Sequence, residues 1–326
     1  MRVCIYGAGA VGGYIAARLA GAGCEVSAIA RGATLAALRE QGLRVQIKGE
    51  SLTAPVRAEE DPNALGAQDL IVVAVKTPVL REVAARMQPL LGADTVVLPA
   101  MNGVPWWFFE GFGGAYAGMR IESVDPGGTI AAAIPAHHVV GCVVHMSSSV
   151  VEPGLVRHGS GNRLIIGEPR GGDSERVRAL AAQLVEAGFD APVSACIQAD
   201  VWYKLWGNMT MNPVSAITGA TCDRILDDPL VNRFCLSVMR EAAAIGAKIG
   251  CPIAQSGEDR NAVTRQLGAF KTSMLQDVEA GRPVEIDALV SAVREIGEKI
   301  GEPTPSIDTL LGLARLQART RGLYPW

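Results

Sequence analysis

The sequence predicts an α/β protein of two domains, a doubly wound parallel sheet over residues 1–196 and an all-helical domain over 197–326. Three observations predict it. Residues 3–6 read as a short buried strand that runs without a spacer into GAGAVG at 7–12, and residues 10–20 then carry a helical pattern. Residues 69–75, DLIVVAV, form a continuous apolar run, as expected of a central parallel strand covered on both faces. From about residue 197 the strand signals stop, and helical patterns punctuated by Gly, Pro and Asn fill the rest.

The opening stretch is the strongest signal. A glycine motif between a strand and a helix, inside a βαβ unit, reads as a dinucleotide-binding turn of Rossmann type. Gly7 makes the tight turn, Gly9 lets the backbone approach a pyrophosphate, and Gly12 allows close helix–strand packing. Ala8, Ala10 and Val11 complete the loop, whose helix aims unpaired N–H groups at the phosphates. The second strand, 25–30, ends Ile29-Ala30-Arg31-Gly32, without the Asp or Glu that NAD binders place there. A guanidinium grips a phosphate through two parallel hydrogen bonds, so Arg31 points to NADP(H).

A short helix is expected at 33–41, then a small ribbon at 43–48 and 52–56. The strand at 69–75 ends at Lys76-Thr77, and an amphipathic helix follows from Pro78 to about 91. Residues 95–98 form the next strand, with Asn102-Gly103 just beyond. Loops at the carboxyl ends of parallel strands bind the ligands of such folds, which puts Lys76 and Asn102 near the cofactor. Residues 104–128, rich in Trp, Phe and Gly, form no regular element and read either as a pocket wall or as a surface flap or dimer contact. Strands at 139–146, 155–157 and 163–167, a helix at 174–187 and a strand near 190–193 close the first domain. Helices are then expected at 197–218, 229–249, 257–279, 286–301 and 306–319.

Two stretches of the helical domain carry unusual polarity. In ADVWYKLWGNMTMNPVSAITG, 199–219, Lys204, Asn208 and Asn212 recur at i, i+4 and i+8 on one helix face, amid Trp and Met. An ammonium and two amides buried there cost free energy unless something pairs with them. In FKTSMLQDVEAGRPVEID, 270–287, Ser273 and Glu285 are the groups that can face a cleft, with Glu285 near a helix start. These residues suit reduction of a ketone by hydride transfer, in which the developing alkoxide must be protonated. A lysine held in an apolar cleft is a suitable donor, because burial lowers its pKa. The expected site lies in the cleft between the two domains.

Composition narrows the classes further. A net charge of −3 gives no reason to expect nucleic acid or an anionic membrane as partner. The seven cysteines show no CxxC pair, and the chain starts directly in a strand, which predicts reduced thiols and a cytoplasmic protein without a signal peptide. No apolar run reaches the ~20 residues that span a bilayer. The four histidines (137, 138, 145 and 158) have no HxxxH spacing, so no metal is expected. Monomer and homodimer both remain open.

GAGAVG at 7–12, Arg31, Lys76, Asn102-Gly103, WYKLWGNMTMNP at 202–213 and SMLQDVEAGRPVEID at 273–287 resemble the ketopantoate reductase family, in family order and over essentially the whole chain. The resemblance implies a C-terminal domain like that of 6-phosphogluconate dehydrogenase, and NADPH-dependent reduction of 2-dehydropantoate to (R)-pantoate, a step toward pantothenate and coenzyme A. It implies that Lys204 is the general acid and that Glu285 orients the lysine and contacts the nicotinamide side. Asn208, Asn212 and Ser273 would bind the substrate, and Asn102 and Lys76 would sit by the nicotinamide end of NADPH. The segment 106–128 is longer and more aromatic than the family pattern, which leaves open a reductase of another small 2-oxo acid. A non-catalytic NADP-sensing protein is the alternative from another class.

Overall fold

The computed structural model describes residues 1–326. Its chain falls into two compact units: residues 1–101 with 128–197, and residues 102–127 with 198–326. The sequence-based boundary at 196/197 differs from this division over residues 102–127, which group with the helical unit. The reason is aromatic burial, described below.

The first unit contains β1 (Arg2–Tyr6), α1 (Ala10–Gly21), β2 (Glu25–Ile29), α2 (Gly32–Gln41), β3 (Leu43–Ile47), β4 (Glu50–Ala54) and β5 (Arg57–Glu59). It continues with β6 (Leu70–Val73), α3 (Leu80–Ala85), β7 (Val96–Pro99), α4 (Thr129–Ala133), β8 (Gly141–Glu152), β9 (Leu155–Gly167) and α5 (Glu175–Glu186). Five strands form a sheet in the order β5-β2-β1-β6-β7, parallel throughout. Val3 pairs with Val26 on one side and Leu70 on the other, so β1 lies in the middle and its apolar residues are covered on both faces.

A second sheet, β4-β3-β9-β8, was not foreseen as such. The three short strands expected between 139 and 167 are one long antiparallel hairpin, β8 with β9, and the 43–56 ribbon adds to its edge. The residues near 190–193 make only isolated bridges, Asp190 to Arg163 and Val193 to Ile166. Helix α1 touches β1 and β2 of one sheet and β3, β8 and β9 of the other. That explains its composition, GGYIAARLA, since a helix covered nearly all round must be apolar nearly all round. Gly13 permits the close approach on the hairpin side, where a β-carbon would come 2.8 Å from Val156 Cγ2.

The second unit holds α6 (Ile197–Thr218), α7 (Cys222–Asp227), α8 (Pro229–Ile249), α9 (Gly257–Arg265), α10 (Ser273–Glu279), α11 (Ala292–Ile300) and α12 (Pro305–Thr320). The helix expected over 257–279 is two, separated where Gly268 adopts φ +64° and Thr272 caps α10 by accepting from Leu275 N–H. Trp202 and Trp206 anchor α6 on α8: their indole N–H groups donate to the carbonyls of Ala242 and Met239 at 3.2 and 2.7 Å. Both indoles are buried, as this pairing of an apolar ring with a satisfied polar tip allows.

The irregular segment 102–127 supplies part of this unit's core. Trp107, Phe108 and Phe109 are buried, and the Phe108 ring lies 5.0 Å from Phe109 and 5.9 Å from Trp202, centroid to centroid. Those three side chains are therefore core anchors, which corrects the surface-flap reading for that stretch. Farther along, the Glu295 carboxylate accepts from the Glu122 and Ser123 amides and from the Ser123 hydroxyl, all at 2.7–2.8 Å. Burial works to raise the Glu295 pKa, but these bonds outweigh it and hold the carboxyl below its usual range.

No disulfide joins any of the seven cysteines. No three His, Cys, Asp or Glu side chains converge as metal ligands. His158 stacks on Tyr14 at 4.4 Å, and His138 Nδ1 meets the Thr95 carbonyl at 2.9 Å, so both have structural partners. No helix is long and apolar enough to cross a membrane.

Candidate active site

The glycine loop has the geometry its sequence predicts. Gly7 sits at φ +102°, and a β-carbon there would fall 2.7 Å from Ala74 O, against the backbone leaving β6. A β-carbon on Gly12 would come 2.1 Å from Gly7 O and 2.9 Å from Ala74 Cβ, so the start of α1 is pressed against the strand ends. Gly9 differs, with nothing within 4 Å of where its β-carbon would be. Space there is open. Gly9 also caps α1, whose first helical hydrogen bond runs from Gly13 N–H to Gly9 C=O at 2.8 Å. The amides of Ala10, Val11 and Gly12 precede that bond and have no carbonyl partner within the helix.

These residues open onto a cavity of about 230 Å3, whose wall includes Gly7, Ala8, Gly9, Ala30 and Arg31. A cradle of this shape fits a dinucleotide: a turn without side chains, helix-end amides and a guanidinium at the end of the second strand. Arg31 is exposed and its Nη1 donates to Glu82 Oε1 at 3.1 Å. Tyr6, at the end of β1, lines the same cavity. Burial pushes its phenol above the usual value, with Arg86 pulling the other way, so the ring carries a neutral hydroxyl. Lys76, at the end of the β6 loop, precedes the turn Thr77–Val79.

The helical unit brings two of the expected site residues into contact. Lys204 Nζ donates to Asn102 Oδ1 at 2.7 Å, across 102 positions of sequence. Asn208 and Asn212 follow at one-turn intervals on α6, Asn208 half-buried and Asn212 buried. Glu285 is buried in the loop just ahead of a π-helical turn, Asp287–Ser291, that leads into α11. Turns of this kind are frequent at functional sites. Ser273 is exposed at the first position of α10.

The Asn102 loop and this π-turn are locked together. A β-carbon on Gly103, at φ +87°, would lie 2.5 Å from Ala288 O, and Val104 N–H donates to that same carbonyl at 2.8 Å. The close approach fixes the backbone on either side of Asn102. Sequence reasoning missed Tyr6, Glu60, Glu82 and Arg86 as cavity residues. Only Tyr6, next to the first glycine, carried a positional signal. It also missed Arg260, whose guanidinium rests on Gly207 and over the Tyr203 ring, beside the Lys204 stretch.

Comparison with known proteins bears on this geometry. Residues 3–106 match the family described as ketopantoate reductase PanE/ApbA, and residues 196–318 match its C-terminal counterpart. A protein named 2-dehydropantoate 2-reductase from Mesorhizobium japonicum is 47% identical over 99% of this chain and 100% of its own. A crystal structure described as a candidate ketopantoate reductase from Ralstonia solanacearum MolK2 is 62% identical, with a TM-score of 0.96 over 99% of each chain. The 2-dehydropantoate 2-reductase of Geobacter metallireducens GS-15 superposes with a TM-score of 0.85 at 27% identity, over 97% of this chain and 99% of its own. By family match, whole-length similarity and fold, the chain belongs to the ketopantoate reductase family and is an oxidoreductase of that type.

Proposed function

We propose that the protein is an NADPH-dependent 2-dehydropantoate 2-reductase, producing (R)-pantoate on the route to pantothenate and coenzyme A, in the cytoplasm. The observation that carries this reading is the Lys204–Asn102 pair: an ammonium on a helix whose neighbouring side chains are Trp, Leu and Met, held at 2.7 Å by a loop amide. The name and full-length similarity of the Mesorhizobium relative support the substrate.

When bound, the nicotinamide supplies the hydride. The rest falls to the chain's own residues. The glycine loop and Arg31 hold the diphosphate and the 2′-phosphate, and Lys76 and Asn102 attend the nicotinamide end. Lys204 donates a proton to the carbonyl oxygen as negative charge develops on it. Asn102 accepts one of the Nζ protons and so fixes the direction in which the ammonium points. Glu285 orients the lysine, and Asn208, Asn212 and Ser273 bind the hydroxyl and carboxylate of the 2-oxo acid. Helix α6 is fixed by its two indole anchors, so the ammonium is presented from a rigid element.

The test is NADPH oxidation with ketopantoate, beside a panel of other 2-oxo acids and an NADH control. The expected result is turnover of ketopantoate with kcat/KM of about 10⁴ M⁻¹s⁻¹ or above, in the range of a working enzyme. Faster turnover of another 2-oxo acid would replace the substrate. Turnover of none, with NADPH still bound, would remove the catalytic reading.

Arg31→Ala should weaken NADPH about 10- to 100-fold, as loss of a charge-assisted contact to phosphate does. NADH should change less than about twofold, because it has no 2′-phosphate. Titration calorimetry with both cofactors checks this. Equal weakening would mean that Arg31 does not read the phosphate.

A further inference from the structure

We infer that Glu82 is a specificity-determining residue of the cofactor cavity: it holds Arg31 in the absence of a 2′-phosphate and moderates the preference for NADPH over NADH. The inference rests on the NADP(H) reading of that cavity and adds a residue to it.

The cavity is not the basic pocket that Arg31 alone implies. Its ionisable lining is balanced, two guanidiniums (Arg31, Arg86) and two carboxylates (Glu60, Glu82) around the Tyr6 hydroxyl. Arg86 is tied down, its Nη2 donating to the Glu60 carbonyl at 2.9 Å. Arg31 is held by a side chain instead, Glu82 Oε1 at 3.1 Å from Nη1. Both partners are largely exposed, 66% and 54% by side chain, so water and salt screen the pair and it opens readily. An exposed pair of this kind is worth at most about fivefold in an equilibrium.

Two consequences follow from the placement of Glu82. A 2′-phosphate seated on Arg31 must displace this carboxylate and then lies beside its negative charge, a repulsion of about fivefold per unit charge at contact distance in water. A ribose 2′-hydroxyl meets the opposite situation. NAD binders accept that hydroxyl on an acid at the end of the second strand, where this chain has Ala30. Glu82, at the third position of α3, brings an acceptor to the same cavity from a different element. The glutamate thus opposes the phosphate and accommodates the hydroxyl.

The experiment is the variant Glu82→Gln, which keeps size and hydrogen-bonding capacity and removes the charge. Binding of NADPH, NADH, 2′,5′-ADP and 5′-AMP is measured by calorimetry at fixed ionic strength, with the melting temperature as a check on folding. The expected result is NADPH and 2′,5′-ADP tighter by about 3- to 10-fold and NADH and 5′-AMP within about twofold. The gain should shrink as salt is raised. Unchanged NADPH and 2′,5′-ADP affinity would overturn the inference, as would equal gains for all four ligands. The wild-type measurement tests the underlying reading separately: a protein that binds NADPH no better than NADH loses the NADP(H) assignment itself.

Discussion

Lys204→Ala should lower kcat by roughly 10²–10⁴-fold, the usual contribution of a positioned general acid, and leave NADPH affinity within about twofold. Lys204 lies two residues after Trp202 and two before Trp206, the indoles that pin α6 to α8. Its ammonium therefore has little freedom beyond its own side chain, and Asn102 takes up part of that. Removing the side chain leaves the helix anchored, so the loss should fall on the chemical step. Lys204→Arg separates two roles. A guanidinium keeps the positive charge, but it holds its proton too tightly to be a good donor at neutral pH. If proton donation is what Lys204 contributes, arginine fails nearly as badly as alanine; if charge alone matters, arginine restores most of the rate. Steady-state kinetics with ketopantoate, beside a melting curve, read both variants. A kcat within threefold of wild type in Lys204→Ala would remove the lysine from the mechanism.

The parts of the molecule that were legible in the sequence are those whose cause is local. GAGAVG between a strand and a helix, and the unbroken apolar run in β6, each encode their conformation in consecutive residues. The second sheet does not. Its hairpin carries SSS in β8 and HGSGN in β9, which read as loop because their pairing comes from a partner strand and not from apolar alternation. The 257–279 stretch was legible as helical but not as broken, since one glycine at positive φ and one threonine cap decide the break. The aromatic run at 107–109 announces burial without saying where; its neighbours in sequence are strands of one unit, and its packing partners, Trp202 among them, belong to the other. Site residues divide in the same way. Lys204, Asn208 and Asn212 were visible as a helix stripe. The Lys204–Asn102 contact spans 102 positions and had no signal, since its strand-end position placed Asn102 only near the cofactor. Glu82 had no signal at all, because an ion pair between an exposed strand-end arginine and an exposed helix glutamate leaves no pattern in either segment.

Gly103→Ala should cost about 2–6 kcal/mol of stability and lower kcat at least tenfold, although residue 103 offers no side chain to the chemistry. Two terms add. A non-glycine residue held at φ +87° costs about 1–3 kcal/mol of backbone strain. The new methyl would also lie 2.5 Å from the Ala288 carbonyl oxygen and 2.6 Å from its β-carbon, and relieving such overpacking typically costs another 1–3 kcal/mol. Relief requires that the 102–104 loop and the Asp287–Ser291 turn move apart, which stretches the Val104–Ala288 hydrogen bond of 2.8 Å. One side of that contact carries Asn102, the partner of Lys204, and the other is a turn that begins two residues after Glu285. A shift of about 1 Å in a catalytic constellation can cost 10²-fold in rate. Gly23→Ala is the control: Gly23 adopts φ +81°, but nothing lies within 4 Å of its β-carbon position, so it reports backbone strain alone. Denaturant unfolding of both variants separates the terms, and kcat shows whether the contact matters to the site. If Gly103→Ala loses no more stability than Gly23→Ala and keeps full turnover, the close approach at Ala288 does not hold the loop that carries Asn102. A larger loss, with turnover falling alongside it, would mean that Asn102 and the Glu285 turn are set against each other by a position where only hydrogen fits.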